Sequence, residues 1–187
     1  GMFPDKFYKL TFYTFQSNTL VFLFYLFLLI QMFRNGKKSK INEYYRFKAC
    51  VTINITLTFL VYAILLAPSV SLEKMFTANN LLLHYIVPLL CIVDWLIFDE
   101  SGKYKITDPI LWSVFPIVYC IFALLKGIVF RVPIPDEKNS PFPYFFLNID
   151  RIGWGGFFKY LIIILTAYIL IGYGMLLLKK KRHRAIF

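Results

Sequence analysis

The chain has 187 residues, 59% of them hydrophobic and 20% aromatic, and a formal charge of +11. Soluble domains carry roughly 45–50% apolar residues, so the excess points to lipid. The charge does not mark a nucleic-acid partner, because the basic residues lie between long apolar runs instead of forming a patch on a polar domain.

Five runs are long enough to cross about 30 Å of hydrocarbon at about 1.5 Å per residue, which predicts an all-α integral membrane protein. Residues 1–187 read as a single transmembrane domain. The first span is expected near Leu10–Phe33. It is too long for a cleaved signal, lacks a small-residue cleavage site and precedes a basic stop-transfer segment. Thr11, Thr14, Ser17 and Asn18 recur in it at three- and four-residue spacings, so one side is polar for about two turns. A helix facing only lipid has no reason to carry that stripe.

The second span is expected near Ala49–Val70, with Asn54 a few residues inside it and Pro68 close to its end. The third, near Asn79–Phe98, sets His84, Pro88, Cys91 and Trp95 on one face and carries Asp94 towards its far end. Pro88 cannot donate to the carbonyl of His84, which frees an acceptor and predicts a bend. The fourth span, near Pro109–Phe130, starts on a proline and repeats Pro116, Tyr119 and Lys126 at near-helical spacing. The connection from Arg131 to Gly156 is the longest and contains the aromatic run Phe142 to Leu147. That run is too short to span and too apolar for water, so it reads as a re-entrant lid over a pocket or as a plain interfacial loop. A turn over Gly153-Trp154-Gly155-Gly156 is expected to lead into the fifth span, near Phe157–Leu178.

Orientation follows from the positive charges. Arg34, Lys37, Lys38, Lys40, Arg46, Lys48, Lys103, Lys105, Lys179, Lys180, Lys181, Arg182 and Arg184 fall on one side. Lys6, Lys9, Lys74, Arg131, Lys138, Arg151 and Lys159 fall on the other, and Lys126 is intramembrane. This predicts an outside N-terminus and a cytoplasmic tail, with His183 as a headgroup contact.

His84, Asp94 and Lys126 are then the ionisable side chains well inside the spans, where such groups are costly and face a bundle interior or cavity. By helical rise, Thr14, His84 and Lys126 all sit roughly 6–8 Å below the outer boundary and share a layer. Asp94 lies about 15 Å deeper than His84. It is expected to be structural, with Asn54 as its hydrogen-bond partner. Taken singly, Thr14 has the alternative of bonding back to its own helix, and Lys126 that of snorkelling to headgroups.

The segments Tyr13-Thr14-Phe15-Gln16-Ser17-Asn18, His84-Tyr85-Ile86-Val87-Pro88 with Asp94-Trp95, Phe115-Pro116-Ile117-Val118-Tyr119 and Pro143-Tyr144-Phe145-Phe146-Leu147 with Gly153 resemble bacterial relatives of the androgen-inducible membrane protein family. The resemblance lies in the order and spacing of these segments across nearly the whole chain. Animal members of that family are threonine hydrolases that act in membranes on fatty acid esters of hydroxy fatty acids. The resemblance implies that Thr14 is the nucleophile and His84 the base. The animal proteins have six helices, one of them before the threonine helix, and a different sequence after the threonine.

A threonine hydroxyl needs a base to accept its proton, and a neutral imidazole can do so. Lys126, Asn18 or Ser17 could donate to an oxyanion or contact substrate, and Asp136, Glu137 or Asp150 could orient the base. The expected partners are a lipid or fatty acid ester substrate and the bilayer. The other reading is a small transporter or lipid-binding protein whose path would continue inward past Asp94 and Asn54; a structural or assembly subunit is a third. Cys50, Cys91 and Cys120 lie within apolar runs without metal-ligand spacing, and no nucleotide-binding glycine loop, H-E-x-x-H or C-x-x-C motif occurs, so neither metal nor cofactor is expected.

Overall fold

A computed structural model describes residues 8–36, 44–135 and 139–180, and among these every regular element is helical. Five helices are long and apolar enough to cross a membrane: α1 (Tyr13–Asn35), α2 (Tyr45–Ser69), α3 (Ala78–Phe98), α4 (Asp108–Phe130) and α5 (Ile149–Leu178). They alternate in direction, and the end at which α1 begins is termed the upper end.

α2 is the axis of the bundle. Half of its most apolar stretch is buried, against 17–28% in the other four helices. Ala49, Ile53 and Leu57, spaced by one helical turn, join Trp112 and Tyr119 of α4 and Tyr168 of α5 in one core cluster. Val51 and Ile55, on another face, join Val21, Phe24 and Leu28 of α1 and Cys91 of α3 in a second. The outer surfaces of the other spans are apolar and open, as at Leu90, Ile97, Ile162 and Leu170. A surface of that kind suits hydrocarbon rather than water.

The helix bounds differ from the sequence expectation where a local signal competes with hydropathy. α1 starts at Tyr13, not Leu10, because Tyr8–Thr11 forms a 3-10 turn and Phe12 is extended. Thr11 therefore leaves the polar stripe and bonds the carbonyl of Tyr8 at 2.6 Å. α5 starts at Ile149, where Asn148 caps the amide of Arg151. Gly153 is a kink inside this helix (φ 65°, ψ 172°), a conformation that suits glycine, and not part of a turn before it.

The lower end is held by charges. The Lys48 ammonium lies 2.6 Å from Asp94 and 2.7 Å from Asp99. Tyr25 donates to Asp94 at 2.6 Å, and Tyr104 donates to Asp99 at 2.7 Å. Burial and then the Asp99 carboxylate hold the Tyr104 phenol well above its ordinary range. Arg46 pairs with Asp108 in the first turn of α4. Lys179 donates to the carbonyls of Leu96 and Asp99 at 2.9 and 2.7 Å, capping the C-terminus of α3.

This corrects the expected Asp94–Asn54 bond. Asn54 is fully buried and accepts from Tyr13 at 2.7 Å and Tyr168 at 3.3 Å, tying α2 to α1 and α5. Asp94 finds Lys48 instead, because α2 begins a turn earlier than expected and carries that lysine into the bundle.

Candidate active site

Thr14 is in the first turn of α1, a consequence of the extended Phe12 before it. The first N–H groups of a helix have no carbonyl one turn back. Here Phe15 and Gln16 donate to the Phe12 carbonyl at 3.1 and 3.2 Å, and the Thr14 amide donates to the Tyr144 hydroxyl at 3.4 Å. The Thr14 hydroxyl lies 3.2 Å from His84 Nε2 and 3.5 Å from the Tyr144 hydroxyl.

His84 sits in a π turn, Leu82–Ile86, that directly precedes the Val87–Pro88 step. A proline without an N–H disturbs the α-helical ladder behind it, and the wider turn is how α3 absorbs the fault. The imidazole Nδ1 is 3.2 Å from the carbonyl oxygen of Asn80. A carbonyl can only accept, so Nδ1 carries the proton and Nε2 is left to accept from Thr14. The backbone thus orients the base, a task for which the sequence had offered Asp136, Glu137 and Asp150. The first two lie outside the described residues, and Asp150 pairs with Arg131 at 2.6 Å. His183, expected at the headgroups, also lies outside the described residues.

One face of the imidazole is covered by Tyr62, stacked at 3.9 Å between ring centroids. Asn80 donates to the Tyr62 hydroxyl at 2.6 Å and to the Met75 carbonyl at 2.9 Å. Tyr62 opens a second π turn, Tyr62–Leu66, which precedes Pro68 by the same offset as Ile86 precedes Pro88. A third, Lys126–Phe130, ends α4. π turns are rare and gather at functional sites, and all three lie at the upper end.

The remaining sequence candidates are near Thr14 but tie the scaffold together. Ser17 is buried, 2.7 Å from the Thr58 hydroxyl, and also donates to the Thr14 carbonyl. Asn18 donates to the carbonyls of Thr14 and Leu83 at 2.8 and 3.1 Å, joining α1 to α3. Lys126 donates to the carbonyls of Val132 and Pro141 at 3.0 and 3.3 Å, so its ammonium fastens the 131–148 connection instead of facing Thr14.

Residues 139–148 of that connection are packed against the helices. Phe142, Tyr144, Phe146 and Leu147 are buried. The Phe142 ring fills a notch at Gly127, where an added Cβ would clash with it. Tyr144 stacks on Phe146 at 5.1 Å and meets the edge of Phe12 at 5.8 Å. Tyr144, Phe146 and Leu147 form one wall of a pocket of about 70 Å³. Thr14 and Tyr62 line the same pocket, and the rest of it is mainly apolar: Leu57 and Val61 from α2, Pro116 and Cys120 from α4, Leu161 and Leu165 from α5.

No protein-family model, curated protein or solved structure matches the chain, so the chemistry of the site is read from its geometry. Among the described residues no group of histidines, cysteines and carboxylates is arranged to hold a metal ion. Sequence reasoning missed Tyr62, Asn80 and Tyr144 as parts of the site. Tyr144 was signalled only indirectly, by an aromatic run too apolar for a loop in water.

Proposed function

We propose that the protein is an intramembrane hydrolase of lipid fatty acyl esters, with Thr14 as nucleophile and His84 as base. We place it in a cell membrane, the bacterial inner membrane, with the N-terminus outside and the tail cytoplasmic. The observation that carries this reading is the 3.2 Å approach of the Thr14 hydroxyl to His84 Nε2, with Nδ1 held on the Asn80 carbonyl. Nucleophile, base and orienting group stand in the order that hydroxyl activation requires. The resemblance to the androgen-inducible family supports the same pair.

In this mechanism Nε2 takes the Thr14 proton as the oxygen attacks the ester carbonyl. The protonated imidazole then gives that proton to the departing alkoxide, leaving an acyl group on Thr14. A water, deprotonated by Nε2, releases the fatty acid and restores the hydroxyl. The apolar lining of the pocket beside Thr14 suits the hydrocarbon of an acyl chain.

The test is labelling with a fluorophosphonate probe and hydrolysis of a fluorogenic fatty acyl ester by the purified chain. Both are expected to require Thr14 and His84, with Thr14→Ser retaining activity. Labelling that survives Thr14→Ala, or hydrolysis unchanged in Thr14→Ala and His84→Ala, removes the proposal. A transport path would have to pass the cluster in which the Lys48 ammonium is held between the carboxylates of Asp94 and Asp99. Flux in proteoliposomes that depends on Asp94 but not on Thr14 would favour transport.

A further inference from the structure

The oxygen of an attacked ester gains a full negative charge, which an apolar pocket holds poorly unless donors are aimed at it. The proposed dyad supplies a nucleophile and a base but nothing for that charge. The cations and amides that the sequence suggested are engaged elsewhere: Lys126 with the Val132 and Pro141 carbonyls, Asn18 with those of Thr14 and Leu83.

Two groups that can donate stand beside the nucleophile, one of them bonded to the other. One is the Thr14 amide, in the first turn of α1, where the helix dipole also favours negative charge. The other is the Tyr144 hydroxyl, 3.5 Å from Thr14 Oγ1. They are 3.4 Å apart, joined by a long and therefore weak hydrogen bond. An oxygen that arrives beside them can take a shorter bond from each, and catalytic hydrogen bonds in an empty site are often long in this way.

Resting on the proposed Thr14–His84 chemistry, the geometry points to Tyr144 as a catalytic residue that, with the Thr14 amide, binds the oxyanion. As the Thr14 oxygen attacks, the carbonyl π pair moves to the ester oxygen, and the two donors hold it there. Neither gives up its proton. The pair returns to re-form the carbonyl when the bond to the alkoxide breaks, and the alkoxide takes its proton from His84.

The surroundings of Tyr144 suit this role. The ring is buried between Phe146 and Phe12, and the connection that carries it is pinned at Lys126 and at Gly127. A donor fixed in advance needs no reorganisation during the reaction, which is what makes such groups effective in a dry site. The hydroxyl is also the polar group of a wall that is otherwise apolar, next to Phe146 and Leu147.

The experiment uses the full chain in detergent micelles, with a fluorogenic fatty acyl ester as substrate and its non-hydrolysable ether analogue as a binding probe. Tyr144→Phe keeps the ring and its packing and removes the donor. The expected result is a fall in kcat of roughly a hundredfold to a thousandfold, with KM, ether affinity and thermal midpoint little changed. Labelling by the fluorophosphonate, whose phosphoryl oxygen also becomes an oxyanion, should slow in parallel. An unchanged kcat in Tyr144→Phe beside an inactive Thr14→Ala overturns the role of Tyr144 and leaves the dyad standing. A Tyr144→Phe variant that loses ether affinity or thermal midpoint together with kcat overturns it too, marking Tyr144 as a packing residue. Hydrolysis undiminished in Thr14→Ala brings down the underlying dyad instead. Should the phenylalanine variant fail to fold, 3-fluorotyrosine at the same position preserves the shape with a more acidic hydroxyl. A shifted kcat then supports the role, and an unshifted one overturns it.

Discussion

The ring of Tyr62 lies on the imidazole of His84, with centroids 3.9 Å apart and planes inclined by 23°. The contact links α2 to α3 and fixes the plane of the base, while Asn80 holds Tyr62 by its hydroxyl and His84 by its carbonyl. An aromatic contact of this kind is worth roughly 0.5–1.5 kcal/mol, so Tyr62→Leu is expected to lower the rate of ester hydrolysis by about three- to tenfold. Tyr62→Phe, which keeps the stack and loses the Asn80 bond, should fall between the two. Steady-state kinetics with the fluorogenic ester reads the difference.

The notch at Gly127 is filled by the Phe142 ring. Gly127→Ala forces that ring out, at a cost of about 1–3 kcal/mol for overpacking. The connection carrying Tyr144 should then detach more often, seen as faster proteolysis between residues 131 and 148 and as slower hydrolysis. A double variant, Gly127→Ala with Phe142→Ala, should recover part of the rate.

Cys120 lines the pocket from α4, as Leu161 and Leu165 do from α5. Cys120→Phe is expected to shorten the space for an acyl chain. Hydrolysis of long-chain esters should fall while that of short-chain esters is kept, measured as kcat/KM across a chain-length series. An equal loss at all lengths would place the acyl chain elsewhere.

Asn54 accepts from Tyr13 and Tyr168 at the centre of the bundle. Asn54→Leu leaves the Tyr13 phenol without its acceptor in a dry core, a loss of about 2 kcal/mol, while Tyr168 keeps its 2.8 Å bond to the Trp112 carbonyl. A lowered thermal midpoint in detergent checks this, and Tyr168→Phe should cost less, because it removes a donor and leaves Asn54 bonded to Tyr13.

Lys48 is buried between Asp94 and Asp99. Lys48→Met strands two carboxylates, which is expected to destabilise the protein by roughly 3–5 kcal/mol. Lys48→Met combined with Asp94→Asn and Asp99→Asn should regain much of the thermal midpoint. Unimpaired stability in the single variant would deny the cluster its structural role.

Hydropathy was enough to find five helices, because a span of lipid demands a long apolar run whatever its partners. It was less able to end them. Lys48 counts by sequence among the basic residues flanking the first connection, yet α2 extends past it since two carboxylates pair with it. Helical rise set Thr14 and His84 at one depth, and their side chains are 3.2 Å apart. Tyr62 and Asn80 were not legible as their neighbours, because the π turn that carries His84 breaks the 3.6-residue period of α3 on which such arguments depend. Tyr144 reaches the site through the docking of a non-helical segment, which no periodicity encodes. Asn54 was given to Asp94 by depth alone, and the two tyrosines that claim it come from helices whose rotation a single sequence does not reveal.

Each π turn is, in effect, an α-helix with one residue too many. Removing a single residue from Leu82–Ile86 would restore the ordinary ladder and rotate everything on its upper side by roughly 100° relative to the lower half. His84 would swing off Thr14 while Cys91, Trp95 and the charges below kept their places. α3 is therefore built as two segments in different phase: a lower one that follows the helical repeat, and an upper one set out of step with it, with His84 at the junction. A chain that lost this extra residue could keep five membrane-length helices and still be unable to bring its hydroxyl and its imidazole together.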